Sequence, residues 1–297
     1  MGRKTEEKIK RTAIVLALVF LTVFLAGCQR GPENTTADVE VSWPAGPAQT
    51  ETAQETELIV FAAASMTETL TEIQKLYSQA APHVTLVFNF DSSGTLKTQI
   101  EEGALCDVFI SAAQKQMDQL DGAKAKDVNP QGLDFVLEGS RIDLLENKVV
   151  LVVPEGNPAE IHSFDDLAGD GPARICLGND DVPVGQYSTE MLSGMGILDR
   201  LEADGKITYG SNVKEVTTQV SEAVVDCGII YATDACAAGL TVVDEAAPGM
   251  CRPVIYPAAV LKSGASLEEA RAFLEYLETP PCRAVFEEAG FSMAGQE

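Results

Sequence analysis
Basic residues are scarce: 21 Lys+Arg stand against 45 Asp+Glu in 297 residues, a formal net charge of -24. Nucleic acid and anionic lipid are held by Lys and Arg that displace counterions, so a field of this sign argues against a nucleic-acid role. Histidine occurs only at His83 and His162, without HExxH spacing, and no C-x-x-C pair is present. The usual zinc and thioredoxin-like signatures are therefore missing. Neither a G-x-S-x-G elbow nor a P-loop occurs, which removes two common routes to catalysis. Acidic residues such as Glu268, Glu269, Glu287 and Glu288 are spread over helix faces, and nothing singles out a catalytic pair. An enzyme is not expected.

Long apolar runs are missing too. Five basic residues (Arg3, Lys4, Lys8, Lys10, Arg11) precede Thr12 to Gly27, sixteen residues without a charge. A membrane-spanning helix needs about 20 apolar residues, so 1–27 reads as a signal segment. Without it, 16 basic residues face 43 acidic ones, a net charge of -27. The segment ends Leu25-Ala26-Gly27-Cys28, which resembles the lipobox of bacterial lipoproteins. That resemblance implies acylation of Cys28 and an extracytoplasmic protein anchored to the cell membrane. Residues 28–56, rich in Thr, Glu, Pro, Ala and Gly with the only Trp (Trp43), cannot bury enough apolar surface to fold alone. They read as a leash of about 30 Å reach.

Six further cysteines (106, 176, 227, 236, 251 and 282) are either buried thiols or bridges, with at most one bridged pair expected. From Leu58 onward, short apolar runs alternate with amphipathic stretches. Leu58–Ala63, Val84–Phe90, Asp107–Ser111, Lys148–Val153, Arg174–Leu177, Gly228–Tyr231 and Val254–Leu261 read as strands. Helices are predicted after Ser65 (Leu70, Ile73 and Leu76 inward), over 95–102, 189–195, 212–225 (Val224 among its inward positions) and 267–277, the last being final. Ser163 to Asp166 fits a capping box, as does Ser65 with Glu68. Strand–helix alternation implies an α/β protein with largely parallel sheets, whose ligands bind beyond the carboxyl ends of strands.

Four strand-to-helix turns carry Ser or Gly at helix starts: Ser65, Asp91-Ser92-Ser93-Gly94, Val182-Pro183-Val184-Gly185 and Ser211-Asn212-Val213. Helix N-termini expose unpaired N–H groups and partial positive charge, so several converging on one point make an anion site without any cation. Lys97 and Lys214 are expected to point away along their helices.

Phe61-Ala-Ala-Ala-Ser65-Met66, Asp91-Ser-Ser93-Gly-Thr-Leu96, Ala104-Leu-Cys-Asp-Val-Phe-Ile-Ser111-Ala112, Val182-Pro-Val-Gly-Gln-Tyr187 and Gly228-Ile-Ile-Tyr-Ala-Thr-Asp-Ala235 together resemble the molybdate-binding proteins of ABC transporters, in the family's order. The resemblance implies a two-lobed type II periplasmic-binding-protein fold. Each lobe is a mostly parallel sheet flanked by helices, and the oxyanion lies in the cleft between them. Lobe 1 is expected at 57–150 and 251–297, and lobe 2 at 151–250. The chain then crosses near Asn147–Pro154 and near Cys251–Pro257.

By the same resemblance, the ligand is held by hydroxyl and backbone N–H of Ser65 and Ser93, by backbone N–H of Val184 and Val213, and by the hydroxyl of Tyr231. Molybdenum is met only as the molybdate oxyanion, through its oxygens. The implied function is capture of molybdate or tungstate by hinge closure and delivery to ABC permease subunits, by a monomer with no cofactor. A receptor of the same fold for sulfate or another small anion is the alternative, and an anchored enzyme lies further off. Asp91, beside the second serine, departs from a site for anions.

Overall fold
The computed structural model describes residues 55–169 and 171–295. The signal segment, Cys28 and residues 28–54 of the leash lie outside the described residues. Strand β1 (Thr56–Ala63) already includes Thr56, the last residue assigned to the leash, opposite Val84. From Leu58 onward the strand is apolar because both faces of the sheet are covered. Leu58, Val60 and Ala62 join a core containing Leu70, Ile73 and Tyr77. Phe61 turns to the other face, among Leu96, Ile100, Met117 and Leu120.

A short 3-10 turn, Ala64–Met66, leads from β1 into α1 (Thr67–Ala80). Its buried stripe closes on Tyr77 rather than Leu76, following the 3- and 4-residue spacing from Leu70 and Ile73. Next come β2 (Val84–Asp91), α2 (Ser93–Glu101), β3 (Val108–Ile110), α3 (Gln114–Leu120), β4 (Ile142–Asn147) and β5 (Val149–Val153). The second half contains β6 (Ile175–Gly178), α4 (Pro183–Gly194), α5 (Leu198–Ala203), β7 (Ile207–Gly210), α6 (Val213–Ser221), β8 (Cys227–Tyr231), α7 (Ala232–Ala238) and β9 (Thr241–Glu245). The chain then runs through β10 (Val254–Val260), α8 (Leu267–Leu277), α9 (Pro280–Glu288) and β11 (Ser292–Met293).

These strands form two sheets, ordered β11-β4-β10-β3-β1-β2 and β7-β6-β8-β5-β9. The two-lobed α/β layout is what forms, with both sheets mixed. Parallel pairing is confined to β1 with β2 and β3, and to β6 with β7 and β8. The antiparallel pairings all involve β10 and β4, or β5, the strands that flank the crossings. Only Lys148 separates β4 in the first sheet from β5 in the second. The stretch expected as one strand from Lys148 is therefore the second of two, and β4 went unread because exposed Asp143 and Glu146 interrupt its apolar pattern. The return lies between Glu245 and Val254.

The helices differ from expectation too: α3, α5 and α7 have no counterpart among those expected, and three others differ for a visible reason. Helix α4 starts six residues before 189, because Pro183 is tolerated at a first helical position. Helix α6 ends at Ser221, which leaves Val224 51% exposed. Helix α9 follows α8, again opened by prolines. Ser163 and Asp166 do form their box, the Asp166 carboxylate accepting the Ser163 N–H at 2.9 Å. All six described cysteines are free thiols.

Candidate functional site
A small cavity lies where the two sheets meet. From the first sheet's side it is lined by Ala63–Ser65, Asp91–Ser93 and Ala112; from the second's by Val182, Pro183, Val213 and Tyr231. It spans about 190 Å³, its open mouth included. Nearly every wall residue is a helix start. Ser65 is in the turn before α1, Ser92 and Ser93 are the cap and first residue of α2, and Val182 and Pro183 hold those places in α4. Val213 opens α6, and Tyr231 caps α7.

First-turn N–H groups have no intrahelical acceptor. The side-chain caps present reach deeper: Ser92 accepts from Thr95 and Asn212 from Glu215. No acceptor among the described residues pairs with the N–H groups of Ser93, Val184 or Val213. Ser65 and Ser93 from one side and Val213 and Tyr231 from the other are thus brought around one cavity. Val184 is not a lining side chain; its isopropyl group joins the core, so only its N–H, one residue beyond Pro183, is available.

Hydroxyl orientation favours donation. Ser93 Oγ accepts the Ala112 N–H at 2.9 Å, which leaves its own proton to give. Ser65 does not cap α1 as its spacing with Glu68 suggests. Its Oγ lies 2.9 Å from the Tyr256 hydroxyl, and Met66 takes the cap position. Burial, reinforced by Tyr256, Tyr187 and Asp234, holds the Tyr231 phenol well above its usual range, so it stays a donor. The Tyr231 hydroxyl donates to the Ala112 carbonyl at 3.5 Å, across to the first sheet.

No lining residue is a cation. Asp91 is turned aside: its carboxylate accepts from Ser92 N–H at 2.7 Å and from Asn212 at 3.4 Å. Lys97 pairs along its own helix with Glu101. Lys214, by contrast, does not point away. Its ammonium lies 2.7 Å from Glu68 beside the first sheet and 3.0 Å from Asp234 beside the second. Burial lowers the Lys214 pKa, but Asp234 and Glu68 outweigh it and raise the value overall. Gly94 N–H also donates to the Asp181 carbonyl at 3.0 Å. A Cβ on Gly94 would stand 2.3 Å from that carbonyl oxygen, so only glycine allows this approach.

Sequence reasoning missed Tyr256, Asn147, Ala112, Asp234 and the Gly94–Asp181 contact, all of which depend on long-range packing. A larger open groove, about 860 Å³ on the same measure, is lined by Lys115, Asp118, Asp127 and Arg252 among others. Its charges are of both signs and few helix starts meet there, so it is the weaker candidate.

Asp234 is fully buried, and burial, outweighing Lys214, pushes its carboxyl up to about 6. Unfolded, it titrates at about 3.9. The folded state therefore takes up this proton first, and acidification between those values favours folding at this residue. Denaturant unfolding should show wild type gaining on Asp234→Asn by up to about 3 kcal/mol as pH falls from about 7 to 4. A pH-independent difference contradicts the assignment.

The family model for bacterial extracellular solute-binding protein matches residues 58–292. A Bacillus subtilis protein provisionally named ABC transporter substrate-binding lipoprotein YvgL is 33% identical over 287 residues, covering 95% of this chain and 98% of its own. The molybdate-binding protein ModA of Haemophilus influenzae is 32% identical over 243 residues, covering 80% and 90%. Among solved structures, the Azotobacter vinelandii periplasmic molybdate-binding protein superposes with a TM-score of 0.68 at 26% identity, covering 79% of this chain and 98% of that one. The sulfate-binding protein SubI of Mycobacterium tuberculosis has a TM-score of 0.67 at 17% identity, covering 81% and 88%, a likeness of fold alone. The relatives are solute-binding proteins rather than enzymes, and this chain belongs to the bacterial extracellular solute-binding proteins, a ModA-like substrate-binding protein of an ABC transporter.

Proposed function
We infer that this protein captures molybdate, or tungstate, outside the cytoplasm and delivers it to an ABC permease. The observation that carries the reading is the cation-free cavity walled by helix starts from both sheets. Ser65 and Ser93 supply hydroxyl and N–H from one lobe; Val184 and Val213 supply N–H, and Tyr231 a hydroxyl, from the other. Such a cage is rich in donors, and the acceptors beside it, the Asp91 carboxylate and the Ala112 carbonyl, already accept from Ser92, Asn212 and Tyr231. A fully deprotonated tetrahedral dianion satisfies it, whereas a protonated oxyanion leaves its O–H unpaired at a cost of about 1–3 kcal/mol. The identity to ModA proteins supports molybdate as the cargo.

The two sheets are the two lobes; the expected bounds, lobe 1 at 57–150 and 251–297 and lobe 2 at 151–250, shift at the first crossing so that β5 (Val149–Val153) lies wholly in lobe 2. They close as a hinge about Lys148 and the return segment. The protein works as a monomer held to the membrane by lipid on Cys28, as the name of the Bacillus subtilis relative also suggests.

Two measurements test this. Calorimetry on ligand-stripped protein should give tight one-to-one heats for molybdate and tungstate, and none for phosphate or sulfate. Binding of sulfate alone would reassign the cargo, and silence for all four would remove the function. Gly94→Ala should weaken molybdate binding at least tenfold and abolish the ligand-induced compaction seen by small-angle scattering, with the ligand-free melting temperature kept. Compaction equal to wild type would contradict closure through this contact.

A further inference from the structure
Four buried polar side chains, Asn147, Thr233, Tyr256 and Ser65, lie between the first crossing and the cavity, and the need to pair each buried proton favours one direction for their hydrogen bonds. Asn147, the last residue of β4, accepts the Lys148 N–H on Oδ1 at 2.8 Å. Its amide nitrogen therefore faces the other way, donating to Thr233 Oγ1 at 2.9 Å and to the Tyr256 hydroxyl oxygen at 3.2 Å. An amide nitrogen has no lone pair to offer. Tyr256 can thus only accept from Asn147. Either oxygen of the 2.9 Å contact between Tyr256 and Ser65 Oγ can donate, but among the described residues Ser65 Oγ is the acceptor within reach of the buried Tyr256 proton, so donation by Tyr256 is the arrangement that leaves that proton paired. Ser65 then accepts from Tyr256 and has its own proton to give to the cavity it lines.

Tyr256 is completely buried, and its ring stacks edge-on against Tyr231 at 5.8 Å and Phe291 at 5.3 Å. The register between β10 and β4 breaks between Tyr256 and Pro257, a bulge of the kind that re-aims a side chain beside a site.

We propose that Tyr256 and Asn147 are positioning residues that hold the Ser65 hydroxyl as an obligate donor to the bound anion, and so set the discrimination against protonated oxyanions. Neither residue lines the cavity; both act through Ser65. The inference rests on the reading of Ser65 as a ligand residue. Burial, first, and the nearby Asp234 keep the Tyr256 phenol protonated, so the chain keeps its direction at all ordinary pH values.

The variant that reverses the chain is Asn147→Asp. A carboxylate still accepts the Lys148 N–H but cannot donate. Tyr256 then gives its proton to residue 147, Ser65 gives its proton to Tyr256, and a lone pair of Ser65 faces the cavity. At mildly alkaline pH, molybdate and hydrogen arsenate both carry two negative charges, but only the arsenate carries a proton. Added negative charge at residue 147 therefore largely cancels in the ratio of their affinities.

The experiment is calorimetry with sodium molybdate and sodium arsenate on the purified full chain. The variants are Asn147→Asp, Tyr256→Phe and Ser65→Ala, with the two doubles that join Ser65→Ala to each of the others. The molybdate-to-arsenate ratio should fall about tenfold in Asn147→Asp and by a smaller factor in Tyr256→Phe. In the Ser65→Ala background neither change should move the ratio further. A ratio unchanged in Asn147→Asp and Tyr256→Phe, or shifted equally with and without Ser65, overturns the positioning role while leaving the cage intact. Molybdate binding untouched by Ser65→Ala overturns the cage reading itself, and this proposal with it. If Tyr256→Phe fails to fold, Asn147→Asp alone decides between these outcomes.

Discussion
A helix cannot satisfy the N–H groups of its own first turn, and in this protein several helices begin against the same small cavity. In water those groups would cost nothing, because solvent would accept from them. Between two sheets that exclude water, they need an acceptor of matching charge and shape. The rest of the molecule follows from that requirement. A chain with net charge -24 can present a local positive field to an anion because helix dipoles act over a few ångströms, while its surface carboxylates are screened by solvent and salt.

The same constraint explains the cavity's neighbours. Donor groups without a cation hold an anion only if both sheets press on it, so the contacts across the cleft matter as much as the cage. Gly94 meets Asp181 through backbone alone. Lys214 spends its charge on Glu68 and the buried Asp234, not on the cavity. One cation thus ties the two sheets together and leaves the cage to donors of fixed direction. The Glu68 side of this pairing is exposed and adds little stability, whereas the Asp234 side is buried, so a loss of Lys214 would leave a buried carboxylate without its partner.

Much of this was legible in the sequence. The apolar strands of both sheets stood out because strands covered on both faces read as continuous runs, as in Leu58–Ala63. Ser65, Ser93 and Val213 lie in turns whose signal is local, because Ser, Gly, Pro and Asn at helix starts announce themselves within four residues; Tyr231 is singled out only by the resemblance to molybdate-binding proteins, and the structure places all four around one cavity. What escaped was either mixed in pattern or long in range. Strand β4 alternates in a way that its acids disguise, and the exposed edge strand β9 has almost no apolar face. Ser65 satisfied the spacing of a helix cap, yet its hydroxyl turned to Tyr256, 191 residues away. Lys214 looked like a solvated helix residue because nothing near it in sequence announces Glu68 or Asp234.

The proposed site holds an oxyanion among helix starts drawn from both sheets, with no cation touching it. In a crystal grown with tungstate, tungsten scatters anomalously and marks its own position. One dominant anomalous peak is expected in the cavity, with oxygens in hydrogen-bonding reach of Ser65, Ser93, Val184, Val213 and Tyr231. A peak in the open groove beside Lys115 and Arg252, or none in the cavity, would contradict it.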